Sequence, residues 1–498
     1  MFTLVIKALL RGITAIALVC LVSVESVAQN EADVLRFSQQ NSIGTVRTIG
    51  LCGAFGALGA DLSSMGINPA GMGMYRRSDF GANTGIYTAN TNSKFGNSST
   101  DASASSTSIG NFGVALTTPS VNPDIPFVTL GFYHQKSTVY DRTTNLEDSE
   151  LPNSLLGVFL DNAQGTDNYD LATHAAYPET AGLAWNTYLI DPNGNSTTSY
   201  IPTYNLADTV GFSYIVEESG SMNDNQFSIG LTQFEIFSLG ATITSSKISF
   251  DQTYVHSETP TDPETELTNW DYIGDLSIIG EGLNIKLGAI LHLDWLKLGA
   301  AWHSPTKYSL RDRYSYSVYS NWKDSEPIHD QTPIYEYNYT LKTTSKLILS
   351  SAVIIDKYAI ISVDYETLDY SKGVLNHDQG INGYDFYEEN LSVQESYNRT
   401  HEARLGFEGR ISSKFRARAG AAYSTSPFSS DSGVQALGSS TKLSLGGEYR
   451  SGNKYLGVAW QKHWSSNDLY VQNPIYQGSP IDQNWSTSCL VIGGGLRL

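Results

Sequence analysis

The sequence predicts an all-β protein: a fourteen-stranded antiparallel transmembrane β-barrel with an N-terminal hatch plugging the lumen. Three observations predict it. Only 16% of residues are charged, against about 25% in soluble proteins, while 11% are aromatic and glycine is abundant at 44 residues. After Phe80 the chain alternates apolar and polar residues with period two, which marks strands with one apolar and one polar face. Every second connection between these strands is short, and the others are long and polar. Tight turns on one side and long loops on the other are the pattern of an outer-membrane barrel. A soluble sandwich has no reason to keep its short turns at one end.

The first element is an export signal. Lys7 and Arg11 precede an apolar run from Ile13 to Val22, and Ser26-Val27-Ala28 supplies small residues for cleavage before Gln29. The run is shorter than the roughly 20 apolar residues of a membrane helix. Cys20 is a poor lipidation site, because Leu18-Val19 before it are not small. Residues 1–28 are therefore read as the signal, 29–78 as the hatch and 79–498 as the barrel. Strands are expected near 79–90, 109–118, 127–140, 224–235, 239–252, 281–292, 296–305, 340–354, 358–370, 398–411, 415–424, 440–450, 454–464 and 487–498. Six short turns link alternate pairs, such as Leu293-Asp294-Trp295 and Ser412-Ser413-Lys414. The connection from Asp141 to Asn223 holds helix-like segments, Leu155 to Asp161 and Ala181 to Ile190, and reads as a folded extracellular loop. Val210 to Glu217 inside it has strand character but stays in the loop, since a fifteenth strand breaks the parity.

Alternation also assigns faces. Leu298, Leu405 and Phe407 fall on a lipid side, and Arg404, Arg410, Arg416 and Arg418 on the lumen side of two adjacent strands. Two readings of these arginines stand: ion pairing with Glu402 and Glu408, or a guide for a ligand carboxylate, whose geometry suits arginine. Trp295, Trp302, Trp460 and Trp464 lie near strand ends, as in an aromatic girdle. The net charge of −19 argues against nucleic acid, which needs a basic surface. The expected partners are the bilayer and a hydrophobic small molecule, with the chain a monomer. No nucleophile elbow is present, and His401-Glu402 lacks the second histidine of a zinc helix. Catalytic residues, cofactors and metals are accordingly not expected. Cys52 and Cys489, which remain after cleavage, form no Cys-x-x-Cys motif and either pair or stay free.

The stretch GALGADLSSMGINPAGMGMYRRSDF, from Gly56 to Phe80, has the glycine content of a phosphate loop without its context. It lies before the first strand rather than between a strand and a helix, and no Gly-Lys pair occurs. A segment folded inside a barrel needs compact turns, which Gly66 and Gly71 permit. Pro69 excludes a helix interior, and Asn68 can bond locally or to the wall. Phe55, Met65, Met72 and Met74 offer adaptable apolar surface and are candidates for lining a ligand path.

This stretch resembles the hatch of the FadL/TodX family of outer-membrane transporters, with Asn68-Pro69-Ala70 matching the family hallmark. LKLGAAWHSPTKYSLRD from Leu296 and EARLGFEGRISSKFRARAGAAYSTSPF from Glu402 resemble barrel strands of the same family. The C-terminus, Leu496-Arg497-Leu498, departs from the usual aromatic ending. The resemblance implies passive transport of long-chain fatty acids or other hydrophobic compounds, gated by the hatch around Gly66, Asn68, Pro69, Ala70 and Gly71 and released sideways through the wall. Physics allows this without covalent chemistry, because each buried CH₂ contributes about 0.8 kcal/mol. A barrel serving protein secretion or surface attachment is the alternative, and an open porin is a third.

Overall fold

The computed structural model describes residues 31–39, 44–96, 98–151, 153–377, 385–429, 438–469 and 481–498. The expected signal and its cleavage site lie outside them. Fourteen antiparallel strands close into one barrel. They are β1 (Asp79–Phe95), β2 (Ser98–Pro119), β3 (Phe127–Val139, continuing as Arg142–Leu151), β4 (Val210–Gln233), β5 (Phe237–Pro260) and β6 (Leu267–His292). Then follow β7 (Leu296–His303 and Lys307–Trp322), β8 (Tyr335–Lys342 and Lys346–Ile355), β9 (Ala359–Asp369 and Val374–His377) and β10 (Arg399–Arg410). The last four are β11 (Phe415–Ser424), β12 (Ser440–Ser451), β13 (Lys454–Leu469) and β14 (Ile481–Arg497). The first and last strands pair from Asp79↔Arg497 to Lys94↔Asp482, which closes the sheet on itself.

The outer face of the wall is apolar near the end that carries the short turns. Phe80, Leu116, Ile229, Leu239, Leu287, Leu298, Leu405, Leu445, Leu456 and Ile492 all point outward and are exposed. In water such a belt would be costly; in a bilayer it is matched. The four tryptophans expected at the interfaces are exposed as well. Above the belt the outer face turns polar: Lys247 and Glu281 form an exposed ion pair at 3.2 Å, and Ser249 and Asp251 follow on β5.

The strands are taller than expected from the sequence. Strands β4 and β5 have 24 residues each and β6 has 26, whereas crossing needs about 9–11. The segment Val210 to Glu217, held back as a surplus strand, is the top of β4, so the parity of fourteen survives. Likewise the loop expected from Asp141 begins as the upper half of β3, and the connection proper runs from 152 to 209. It folds into three short helices, Leu156–Ala163, Asn168–Ala172 and Ala181–Asn186, and a two-stranded ribbon, Ile190–Pro192 with Tyr200–Pro202. Leu156, Phe159, Leu183 and Leu189 pack on Phe212, Trp270, Tyr316 and Val318 of the projecting strands. The cap therefore has its own apolar core, built outside the membrane.

The N-terminal residues lie inside the barrel. One helix (Glu31–Ser38) seats Val34, Leu35 and Phe37 against Phe250, Ile248, Tyr308, Leu310 and Tyr339 of the wall. A second (Val46–Gly50) follows, capped by the Thr45 side chain accepting from Thr48 N. A third short turn (Ser64–Ile67) leads through Asn68 into a tight 3-10 turn, Pro69–Met74. The chain then enters β1.

Candidate functional site: the plugged lumen

Close approach of backbone to backbone seats the plug. Glycines face the lumen where it touches the wall. A methyl group added at Gly288 would lie 1.9 Å from Asn68 Oδ1, and one at Gly240 would lie 2.2 Å from the Pro69 carbonyl oxygen. Equivalent contacts occur at Gly299 with Gly56 and at Gly420 with Leu51 and Cys52. No other residue leaves room for a main chain there.

Asn68 is 1% exposed and makes three bonds. Its Nδ2 donates to the Gly56 carbonyl (2.7 Å) and to Ala289 of β6 (3.3 Å), and its Oδ1 accepts from Ala70 N (3.1 Å). It thus bonds both within the plug and to the wall. Pro69 opens the 3-10 turn, where a missing N–H costs nothing. Ala70 and Gly71 are buried beneath it, and Gly66 faces Gln135 and Gln226.

Ionic contacts key the plug further. Arg47 donates to Glu408 of β10 at 2.9 Å, and its guanidinium stacks 5.1 Å from the Phe55 ring centroid. Asp364 of β9 accepts from the backbone N–H groups of Phe55 (2.9 Å) and Gly56 (2.8 Å). Asn83 of β1 and Asn111 of β2 both donate to Gly44 O, at 3.2 and 2.9 Å. Arg497, near the unusual C-terminus, reaches Asp79 (3.3 Å) and the Ala60 carbonyl (3.1 Å).

Three of the four arginines assigned to the lumen stand beside carboxylates, whereas Arg410, at the strand end, is exposed and donates to the Ser412 carbonyl (3.3 Å). Arg418 bridges Glu408 (2.7 Å) and Glu448 (2.9 Å), and Arg416 stands 3.9 Å from Glu448. Arg404 bridges Glu366 (2.6 Å) and Glu402 (3.1 Å). Of the two readings left open by the sequence, the geometry matches ion pairing. Asp364, Glu366, Glu448 and Arg47 were not singled out from the sequence. The first two occupy inward positions in the alternation of β9, and that position was the available signal.

The candidate lining residues have a different placement from the one expected. Met65 and Met72 are fully buried with Leu62, Tyr75 and Tyr133, and Phe55 is buried with Leu51, Leu58 and Ala352. Met74 is half-buried beside Gly59. They pack plug against wall. Open space lies elsewhere: an open cleft of about 750 Å³ lies among the tops of β1, β2, β13 and β14, and two smaller cavities of about 80 and 100 Å³ share Glu402, Lys442 and His463. The smallest also touches Cys52, Tyr87 and Cys489 and extends to Ser106 of β2 and Val139 and Asp141 at β3. Both cysteines are free thiols. Burial pushes the Cys52 thiol up, with Lys442 opposing, so it stays protonated.

The same cavity reaches a break in the wall. The β2–β3 ladder runs from Pro119↔Phe127 only to Asn111↔Gln135. Above it, β2 pairs with β1, and the upper half of β3 pairs with β4. The chain bends at Tyr140 and Asp141, opposite Gly220, whose φ of +114° suits glycine. Tyr140 N donates to Gly220 O (3.1 Å) and Gly220 N to Asp141 Oδ1 (3.2 Å). The upper half of β3 then leans inward: Gln483 of β14 donates to Thr144 (3.1 Å), and Leu146 packs with Phe95 and Ile481.

A closed fourteen-stranded barrel with an apolar belt and a plug keyed into its lumen is a transmembrane barrel of the outer-membrane type. Its fold is that of the FadL-type channels. A FadL homologue of Pseudomonas aeruginosa matches over 92% of this chain and 99% of its own, with a TM-score of 0.54 and 10% identity. The toluene transporter TodX of Pseudomonas putida matches over 91% and 97%, at a TM-score of 0.51 and 11% identity. The monoaromatic hydrocarbon channel CymD matches over 92% and 98%, at 0.50 and 12%. No protein-family model and no curated protein matches the chain.

Proposed function

We propose that the protein is a passive outer-membrane channel for hydrophobic compounds. The plug around Asn68-Pro69-Ala70 acts as its gate, and the break between β2 and β3 acts as a sideways exit. The observation that carries this reading is the continuity of space: one cavity runs from the plug at Cys52 to Ser106 and Asp141, which lie beyond the last β2–β3 pair, Asn111↔Gln135. An aqueous pore would release an apolar ligand into water. A gap in the wall instead delivers it to the bilayer, where its burial is retained. Two of the structural neighbours named above are a toluene transporter and a monoaromatic hydrocarbon channel, which supports the same class.

The test is a bridge across the gap. Ser106→Cys with Asp141→Cys, joined by a bis-maleimide, should block uptake of a radiolabelled hydrophobic probe into cells, while the reduced, unbridged variant transports normally. Unchanged uptake after bridging rules out this exit. Failure of the wild-type chain to take up any hydrophobic probe removes the transport reading and favours a secretion accessory.

A further inference from the structure

We infer that the outer face of the barrel docks a phosphate-bearing lipid of the outer leaflet, through Lys307 and Lys342 with Arg311 above them. Such docking needs only the barrel in its membrane and does not rest on the channel reading above.

Lys307 of β7 and Lys342 of β8 stand directly opposite each other in the ladder. Both are exposed, while their neighbours Tyr308 and Leu341 are buried, so both lysines leave the outer face. Side chains so placed start about 4.5–5.5 Å apart at Cβ, and like charges there are destabilising. Neither lysine has an ion pair or a side-chain hydrogen bond among the described residues. The outward carboxylates above them are engaged: Glu281 with Lys247 at 3.2 Å, and Glu336 with Arg313 at 3.5 Å and Arg311 at 3.9 Å. Successive outward rungs across β5 to β8 carry Lys307 and Lys342, then Lys247 and Glu281, then Arg311. That is four cations against one carboxylate, in a chain whose net charge is −19. The next rung, with Arg313, Glu336 and Asp251, is acidic on balance and bounds the patch.

Directly beneath lies the apolar belt. Trp302 and Leu347 are the exposed side chains below the pair, and Leu283 shares its rung. The lysines therefore stand where acyl chains give way to headgroups, on the side away from the short turn at Leu293-Asp294-Trp295. An exposed pair of ammonium groups holds a free ion weakly, because salt screens it. A lipid whose chains lie on the belt instead keeps its phosphate at this height at high local concentration. Basic side chains just outside the apolar layer attract such headgroups. The phosphate oxygens accept from both ammonium groups and remove the repulsion between them. Arg311 lies further along β7, about 13 Å up the strand, where its guanidinium fork suits a second phosphate. The matching lipid has a disaccharide headgroup phosphorylated at both ends.

The experiment titrates the full-length purified protein, in a non-ionic detergent, with lipid A bearing two phosphates and with the same lipid after dephosphorylation. Bound lipid is counted by native mass spectrometry. The phosphorylated form should bind about ten-fold more tightly. Lys307→Gln with Lys342→Gln should remove that difference. Lys94→Gln with Lys462→Gln, which neutralises outward cations of β1 and β13, should leave it in place. Equal binding of the two lipids by the wild type overturns the inference, and so does a difference that survives in the Lys307/Lys342 variant or is lost in the Lys94/Lys462 variant. Inorganic phosphate in large excess should not displace the lipid; displacement would make this an ion site and overturn the lipid assignment. Folding of each variant is checked by heat-modifiable migration, and if the double variant fails it, Lys342→Gln alone decides by the same ratio. Every one of these outcomes leaves the channel reading intact.

Discussion

Replacing Asn68 with alanine should loosen the plug without unfolding the barrel. The substitution removes three hydrogen bonds: two donated by Nδ2 to Gly56 and Ala289, and one accepted by Oδ1 from Ala70 N. The Gly56 carbonyl and the Ala70 N–H lie within the buried plug, so each loses a partner that water cannot replace. A buried group left unsatisfied costs about 1–3 kcal/mol. Ala289 also belongs to the β6 ladder, so its loss is smaller. Together the seating of the plug should weaken by about 2–5 kcal/mol. Nor can the wall close the gap, because Gly288 has no side chain to fill the space that Asn68 occupies. The ladder of the barrel begins at Asp79 and loses nothing. Two assays separate the outcomes: single-channel recording in planar bilayers, and the thermal transition of strand content in detergent. The variant should show frequent conducting bursts and an unchanged transition. A barrel that melts earlier, with no bursts, would mean that Asn68 is structural and that the plug does not depend on it as a latch.

Four further predictions follow from the geometry. Gly240→Val puts side-chain atoms where the Pro69 carbonyl oxygen lies 2.2 Å from even a β-carbon, so it should expel the 3-10 turn and raise conductance; wild-type conductance refutes the close-packed seat. Deleting residues 31–78 should leave a heat-modifiable, folded barrel with a large stable pore; a folded deletion that conducts no more than wild type shows that the segment is not a plug. Leu405, 52% exposed on the lipid face, should cost roughly 2–4 kcal/mol when changed to arginine, as read by refolding titration. Arg416→Leu should cost far less, and equal losses would reject the assignment of faces. N-terminal sequencing of the membrane-extracted protein should begin at Gln29, and a lipid on Cys20 would contradict this.

Much of the barrel was legible in the sequence because its physics is local. A strand with lipid on one side and lumen on the other must alternate, so Leu405 against Arg404 reads directly. Six short turns on one side and both termini at that end determine an even strand number. The plug declared itself through composition, since only glycine, proline and small residues allow a backbone to fold against a wall. The alternation weakened where the strands leave the membrane. On β5 the outward residues change from Leu239 and Ile243 to Lys247, Ser249 and Asp251, and a face bathed in water need not be apolar. The tops of β3 and β4 were therefore read as loop. Contacts that depend on register or on the seating of the plug were also beyond reach. That Arg404 meets Glu366 is decided by the register of the neighbouring strands β9 and β10, and that Arg47 meets Glu408 and that Met65 and Met72 pack against the wall are decided by the plug folding into the lumen. The break between β2 and β3 is likewise decided only in three dimensions. It depends on Gly220 opposite the bend and on an inward lean stabilised by β14, neither of which leaves a periodic trace in the chain.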